Sequence, residues 1–376
     1  MSFMSLAQDE EPKLLDNMSL NGYVKYMNTV LLPPRDSGQM ITDNLIHNRL
    51  NYTWYVNDNF TFKTSMRNRI FYGELTRLLG TTYAQIGDDP GFFDFSILWI
   101  NDESFAMHTI FDRLNLTYQK GDWEVIAGRQ RINWGMNLIW NPNDIFNSYS
   151  FFDFDYEERP GTDAIQVNYF TGAASSISVV YELADSLKGS SFAAKYKWNT
   201  NNYDMQFFGG YQKTFYVMGA GWAGDIKGAG FRGEGTYFIP QNQGDYQFVG
   251  AIDVDYTLSS GLYFQVSYLY NSQGINTGTG DYAAYYFDRN LSVQTLSPAM
   301  HNLFGQVSGS FTPILTGSLS GMMNPSDDSW FIGPGLTWSI EENFDFLAFA
   351  QLFRGDPRTL YGDGGSILFL RFKYSF

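Results

Sequence analysis

Arg67 and Arg69 lie two residues apart, and so do Arg129 and Arg131. In an extended chain that spacing puts both guanidinium groups on one face. Lys25, Arg49, Lys63 and Arg113 hold polar positions in similar alternating stretches. Fixed cations gathered on one wall attract and orient anions; they do not by themselves break bonds. A second set is acidic: Glu182, Asp204, Glu234, Asp253 and Asp255, with Lys195, Lys197 and Arg232 interspersed. A basic wall facing a more acidic one sets a transverse field across the space between them. Two arrangements satisfy these charges: a water-filled passage with charge selectivity, or an interior closed by salt bridges.

Hydrolysis by a Ser-His or His-Asp device needs a histidine beside a nucleophile. The chain has three histidines, His47, His108 and His301, scattered along the sequence. Alternation puts His47 on a polar face, and His108 and His301 on apolar faces near strand ends. Scattered imidazoles without cysteine give no transition-metal set and no thiolate nucleophile. Residues 324–328 lack calcium-loop spacing, and the glycines form no phosphate-binding loop. No enzyme activity, metal or cofactor is expected.

One connection has its own chemistry. Asp144, Asp153, Asp155, Glu157 and Glu158 make it acidic, while Phe146, Tyr149, Phe151, Phe152 and Phe154 make it apolar. A purely solvated loop has no use for so many aromatic rings. Two placements suit it: folded inward against Arg67, Arg69, Arg129 and Arg131 as a constriction, or an outer cap that binds a partner.

The elements that carry these residues alternate with period two, the mark of strands. In residues 59–72, Phe60, Phe62, Met66, Ile70 and Tyr72 oppose Thr61, Lys63, Ser65, Arg67 and Arg69. The pattern recurs from residue 19 to the end and gives about 18 strands. Connections at 57–58, 120–122, 199–202 and 341–343 are short and rich in Asn, Asp and Gly. Those between them are often long: 31–43, 73–106, 133–161, 271–300 and 354–365. This asymmetry is the habit of up-and-down barrels of the outer membrane. Charges at mid-membrane lipid-facing positions cost roughly 2–4 kcal/mol each, so the basic set is expected inside.

Composition agrees. Of 376 residues 18% are aromatic, and no apolar run approaches the ~18 residues of a membrane helix. The net charge of -15 argues against nucleic acid as a partner. Residues 1–8 read as the tail of a signal peptide, 9–18 as a periplasmic leader, and 19–376 as one barrel domain.

The last strand carries Leu368, Leu370, Phe372, Tyr374 and Phe376 on one face. This ending resembles the C-terminal signal of bacterial outer-membrane barrels, with Phe372, Tyr374 and Phe376 as the insertion signal. That resemblance implies the barrel-assembly machinery as a partner. Residues 127–169 run through Gly128-Arg129-Gln130, Trp134-Gly135, a long loop, and Gly161-Thr162-Asp163. Over about forty residues this resembles alginate-export-type and related porin-like channels. It implies transport through an outer-membrane channel and transfers no substrate. Taken together, the residues are expected to form an all-β transmembrane antiparallel barrel in a Gram-negative outer membrane, passing small polar or anionic solutes. The other class left open is a non-conducting docking barrel, with an envelope protein as candidate partner at the long loops.

Overall fold

The computed structural model describes residues 17–33, 38–79, 89, 91–148, 161–276 and 292–376. The strands are β1 (Met18–Leu32), β2 (Ile41–Tyr55), β3 (Phe60–Gly73), β4 (Ser96–Asp102), β5 (Phe105–Lys120), β6 (Trp123–Gln130) and β7 (Thr162–Gly172). They continue as β8 (Ser175–Glu182), β9 (Ser191–Thr200), β10 (Tyr203–Gln212), β11 (Phe215–Ile226), β12 (Ala229–Pro240) and β13 (Gln247–Thr257). The last six are β14 (Tyr263–Asn271), β15 (His301–Thr312), β16 (Leu315–Asn324), β17 (Ser329–Glu341), β18 (Phe344–Arg354) and β19 (Ser366–Ser375). A short helix, α1 (Glu74–Leu79), follows β3.

All 19 strands belong to one sheet, and β1 pairs with β19 to close it. Leaving out β4, 18 antiparallel strands form the wall. At the seam Gly22 and Phe376 exchange both backbone hydrogen bonds, at 2.9 and 3.0 Å. A Cβ on Gly22 would come within 3.1 Å of the Phe376 ring, so glycine lets that ring lie over the seam.

Each strand divides its residues between two surroundings. Most outward positions are apolar, and many are exposed: Val24, Ile46, Phe207, Val254, Leu319 and Trp338 are examples. A surface like this is stable against lipid, not water. Aromatic pairs gather at both rims. Trp123–Tyr169 (4.6 Å) and Phe60–Tyr118 (4.9 Å) lie toward the short turns, and Phe248–Tyr270 (6.4 Å) toward the long loops. Such rings suit the headgroup level. The turn at Asn201 and Asn202 has φ of 51° and 64°, the left-handed pair that a two-residue hairpin requires.

Two expectations change. The connection 73–106 is not only loop, since α1 and β4 lie within it. β4 was invisible as a wall strand because it is short and pairs only with β5. It runs beside the part of β5 nearer the long loops, while β6 pairs with the other part, residues 114–120. The second change is a bulge at Asp112, which shifts the β3–β5 register. Outward residues are Met107 and Phe111 on one side of the bulge, and Leu114 and Leu116 on the other. His108 pairs with inward Arg69 and is buried inside, not on the apolar face assigned to it. His301 does face outward, paired with Tyr270.

Candidate functional site: the barrel lumen

The basic residues converge on one sector. Lys373, Lys25, His47, Arg69 and His108 form a single cross-strand row over β19, β1, β2, β3 and β5. Arg49 and Arg67 pair in the neighbouring row. Lys25, His47, Arg49, Arg67, Arg69 and His108 are all buried. Asp112, which the bulge turns inward, is the counter-ion. Its carboxylate lies 2.6 Å from Arg49 and 3.5 Å from Arg67, with both pairs almost wholly enclosed. Arg113 faces inward past the bulge and donates to the Asp112 carbonyl at 2.7 Å. Lys63 faces inward but is exposed, near the short-turn rim.

Arg129 departs from this set. By alternation it belongs with outward Trp123 and Ala127, because Gly128 (φ 114°) and the end of β6 bring it to a seam in the wall. There it donates to Asp163 at 2.7 and 2.9 Å and to the Phe93 carbonyl at 2.6 Å. Asp89 is a further ion-pair partner, and the Phe95 ring lies 4.7 Å below the guanidinium. This arginine fastens Asp89, Phe93 and Phe95 to β6 and β7. Arg131, the next residue but one, is exposed where the chain leaves the strand.

Residues 131–148 turn into the barrel and dock on the far wall. Trp134 is buried with its ring 5.1 Å from Phe146 and 5.2 Å from Phe208, and the Lys195 ammonium lies 4.9 Å from it. Gln206 donates to the Trp134 carbonyl at 2.5 Å. Glu234 accepts backbone N–H groups from Met136 (2.5 Å), Asn137 (3.3 Å) and Asn143 (3.1 Å). Asp253 accepts the N–H of Leu138 at 2.5 Å. Thr236 donates to the Pro142 carbonyl at 2.7 Å, and Asn143 donates to that of Ala220 at 3.0 Å. Gly219 and Gly221 make room, since a Cβ on either would lie 2.9 Å from the Asn143 amide.

The acidic set is therefore occupied. Glu234 and Asp253 hold the loop, Asp255 pairs with Arg232, and Asp204 pairs with Lys197 at 3.0 Å. Glu182 faces inward opposite Ser191. Asp144 is buried with the loop, and its carboxylate accepts the Trp134 N–H at 3.3 Å. The expected contact of this loop with Arg67 and Arg69 rested on Phe151, Phe152, Asp153, Asp155, Glu157 and Glu158, which lie outside the described residues. For residues 131–148 the partner is the acidic wall. Phe372, Tyr374 and Phe376, expected to carry an insertion signal, are exposed on the outer face, Phe372 with its ring 4.9 Å from Phe346.

Sequence reasoning missed Asp112. Its signal was the slip of the apolar phase between Phe111 and Leu114. Among the described residues no group of three or more His, Cys, Asp or Glu side chains could hold a metal ion. A recess of about 380 Å³ opens beside the basic rows, lined by Asn21, Tyr23, Arg49, Asn51, Lys373 and Ser375.

No family model matches this chain, and no curated protein matches it by sequence. Solved structures do match in fold. The outer membrane protein OprD from Pseudomonas aeruginosa is similar over 96% of this chain and 93% of that chain, with 8% identity and a TM-score of 0.61. OccAB1 from Acinetobacter baumannii is similar over 95% and 96%, with 11% identity and a TM-score of 0.59. OccD3 (OpdP) from Pseudomonas aeruginosa is similar over 95% and 91%, with 9% identity and a TM-score of 0.55. At such identities the likeness speaks to the fold: a closed 18-strand outer-membrane type of barrel.

Proposed function

We propose that this chain is a channel of a Gram-negative outer membrane that passes small polar or anionic solutes. The observation that carries this is the inward row Lys373, Lys25, His47, Arg69 and His108, with Arg49 and Arg67 beside it. Asp112 offsets part of this charge through its salt bridges with Arg49 and Arg67. The docked loop occupies the opposite side of the lumen, and the proposed passage runs along the basic sector. An anion crossing there meets donors on one side and a neutralised wall on the other. A polyanion channel would call for cations all round the lumen; cations confined to one sector suit a smaller solute. The acidic segment 153–158 is proposed to supply further carboxylates to this sector, and the barrel-assembly machinery to receive the last strand.

Reconstitution in a planar bilayer tests the reading. Discrete conductance steps with a reversal potential favouring anions under a salt gradient are expected. A second reading, a filled and non-conducting barrel, is favoured by one observation: Lys25, His47 and Arg49 are buried rather than open to a wide lumen. A silent bilayer with correctly folded protein would select that reading.

A further inference from the structure

The outer face of the wall is not apolar everywhere. From β9 round to β19 the mid-strand outward positions hold apolar residues and glycine. On β2, β3 and β5 they do not. Asn48, Asn68 and Thr109 stand in one cross-strand row, with Val24 on β1 and Ile97 on β4 at its ends. They are linked by hydrogen bonds. Asn48 donates to the Tyr23 carbonyl at 3.0 Å, Asn68 donates to Asn48 at 3.0 Å, and Thr109 donates to Asn68 at 2.6 Å. Trp99, more than half exposed on β4, donates to Thr109 at 2.9 Å and ends the chain. Four residues nearer the long loops, Asn28 donates to Asn44 at 3.0 Å.

A side-chain amide has two N–H donors. Asn48 and Asn68 each use one, so each keeps an N–H without a partner among the described residues. In hydrocarbon, water cannot satisfy such a group. Amides of this kind in a membrane pack against protein, where a second polar group reaches them.

We infer that the outward face of β1, β2, β3 and β5 is the interface with a second copy of this chain. Two observations favour a copy over another partner. The polar row is uncharged, so two copies meet without like-charge repulsion. Its amides are donors and acceptors at once, so they pair with their own symmetry mates. The area also fits. Four strands of 14 to 16 residues present a face about 20 Å wide and about 35 Å tall when tilted, near the ~800 Å² per partner of a standard interface. The exposed Ile97, Trp99 and Ile100 of β4 extend this face toward the long loops.

The test uses the absence of cysteine from the chain. Val24→Cys reports on this face and Val254→Cys on the far side of the barrel. Each variant is treated in native membranes with a bifunctional thiol reagent. Covalent homo-oligomers from Val24→Cys and not from Val254→Cys are expected, and adding Asn48→Leu and Asn68→Leu should lower their yield severalfold. Heat-resistant migration on gels establishes that each variant is folded. Monomers from folded Val24→Cys protein, or adducts only with a different protein, would overturn the inference. So would a yield that the two leucines leave unchanged.

Discussion

Glu234 accepts the backbone N–H of Asn143 through one carboxylate oxygen and that of Met136 through the other, at 3.1 and 2.5 Å. One side chain on β12 thus holds both ends of the inner turn of the lumen loop. Backbone amides spent this way are unavailable to a solute, and the loop cannot shift without leaving them unpaired.

Glu234→Ala should free that turn. Hydrogen bonds to charged groups are worth about 1.5–3 kcal/mol each, and this substitution removes three. Single-channel recordings should show larger or noisier conductance. Trp134 and Trp140, buried in the native loop, should become quenchable by acrylamide. Glu234→Gln, which keeps an acceptor, should lie between the two.

Asp112→Asn should act on the other wall. It leaves Arg49 and Arg67 without their enclosed carboxylate, a loss of about 3–5 kcal/mol for a buried pair. Anion preference, read from the reversal potential, should rise while thermal stability falls. Replacing Arg67, Arg69 and Arg113 together by Gln should lower anion preference. If neither variant moved the reversal potential, the basic sector would not border the conducting path.

Neutralising Asp153, Asp155, Glu157 and Glu158 together should raise anion preference if they supply carboxylates to the basic sector. Identical selectivity in this variant and the native chain would remove them from the lumen.

Closure of the wall should depend on Phe376 and Gly22. Phe376→Ala, or deletion of Tyr374–Phe376, should reduce the folded yield on insertion, because the seam would keep an unpaired edge in lipid. Gly22→Val should do the same by crowding the Arg49 carbonyl, the nearest atom that a Cβ there would meet. Heat-modifiable gel migration measures both.

Orientation is checked by labelling intact cells with a membrane-impermeant thiol reagent. Leu187→Cys, on an exposed connection at the long-loop rim, should react, and Asn201→Cys, on a tight turn at the other rim, should not.

Much of this was legible because period two is a strong signal wherever one face meets lipid. It gave the 18 wall strands and the inward placement of Lys25, Arg49, Arg67 and Arg69. It failed where the period slips. At Asp112 one extra residue reverses the faces, which hid the counter-ion and misplaced His108. At the end of β6 the parity places Arg129 with outward Leu114 and Asp163, so it serves the seam and not the lumen. Alternation also gives a side chain's face but not what rests upon it. Glu234 and Asp253 read as an open acidic wall because nothing local says that a loop begun near Arg131 will cross to them.

The β1–β19 seam has a consequence for how the molecule is made. Every other wall pairing joins consecutive wall strands, so each can form from local chain as a hairpin forms. The pairing of Lys25 with Lys373 instead brings together distant ends of the sequence. The entropy of closing such a loop grows only slowly with its length, but none of it is recovered until the register is right. Assembly is therefore a growing, curling ribbon with two raw edges and one late step that removes both. A defect in any strand should register as failure of that step, so the seam acts as the checkpoint for the whole wall.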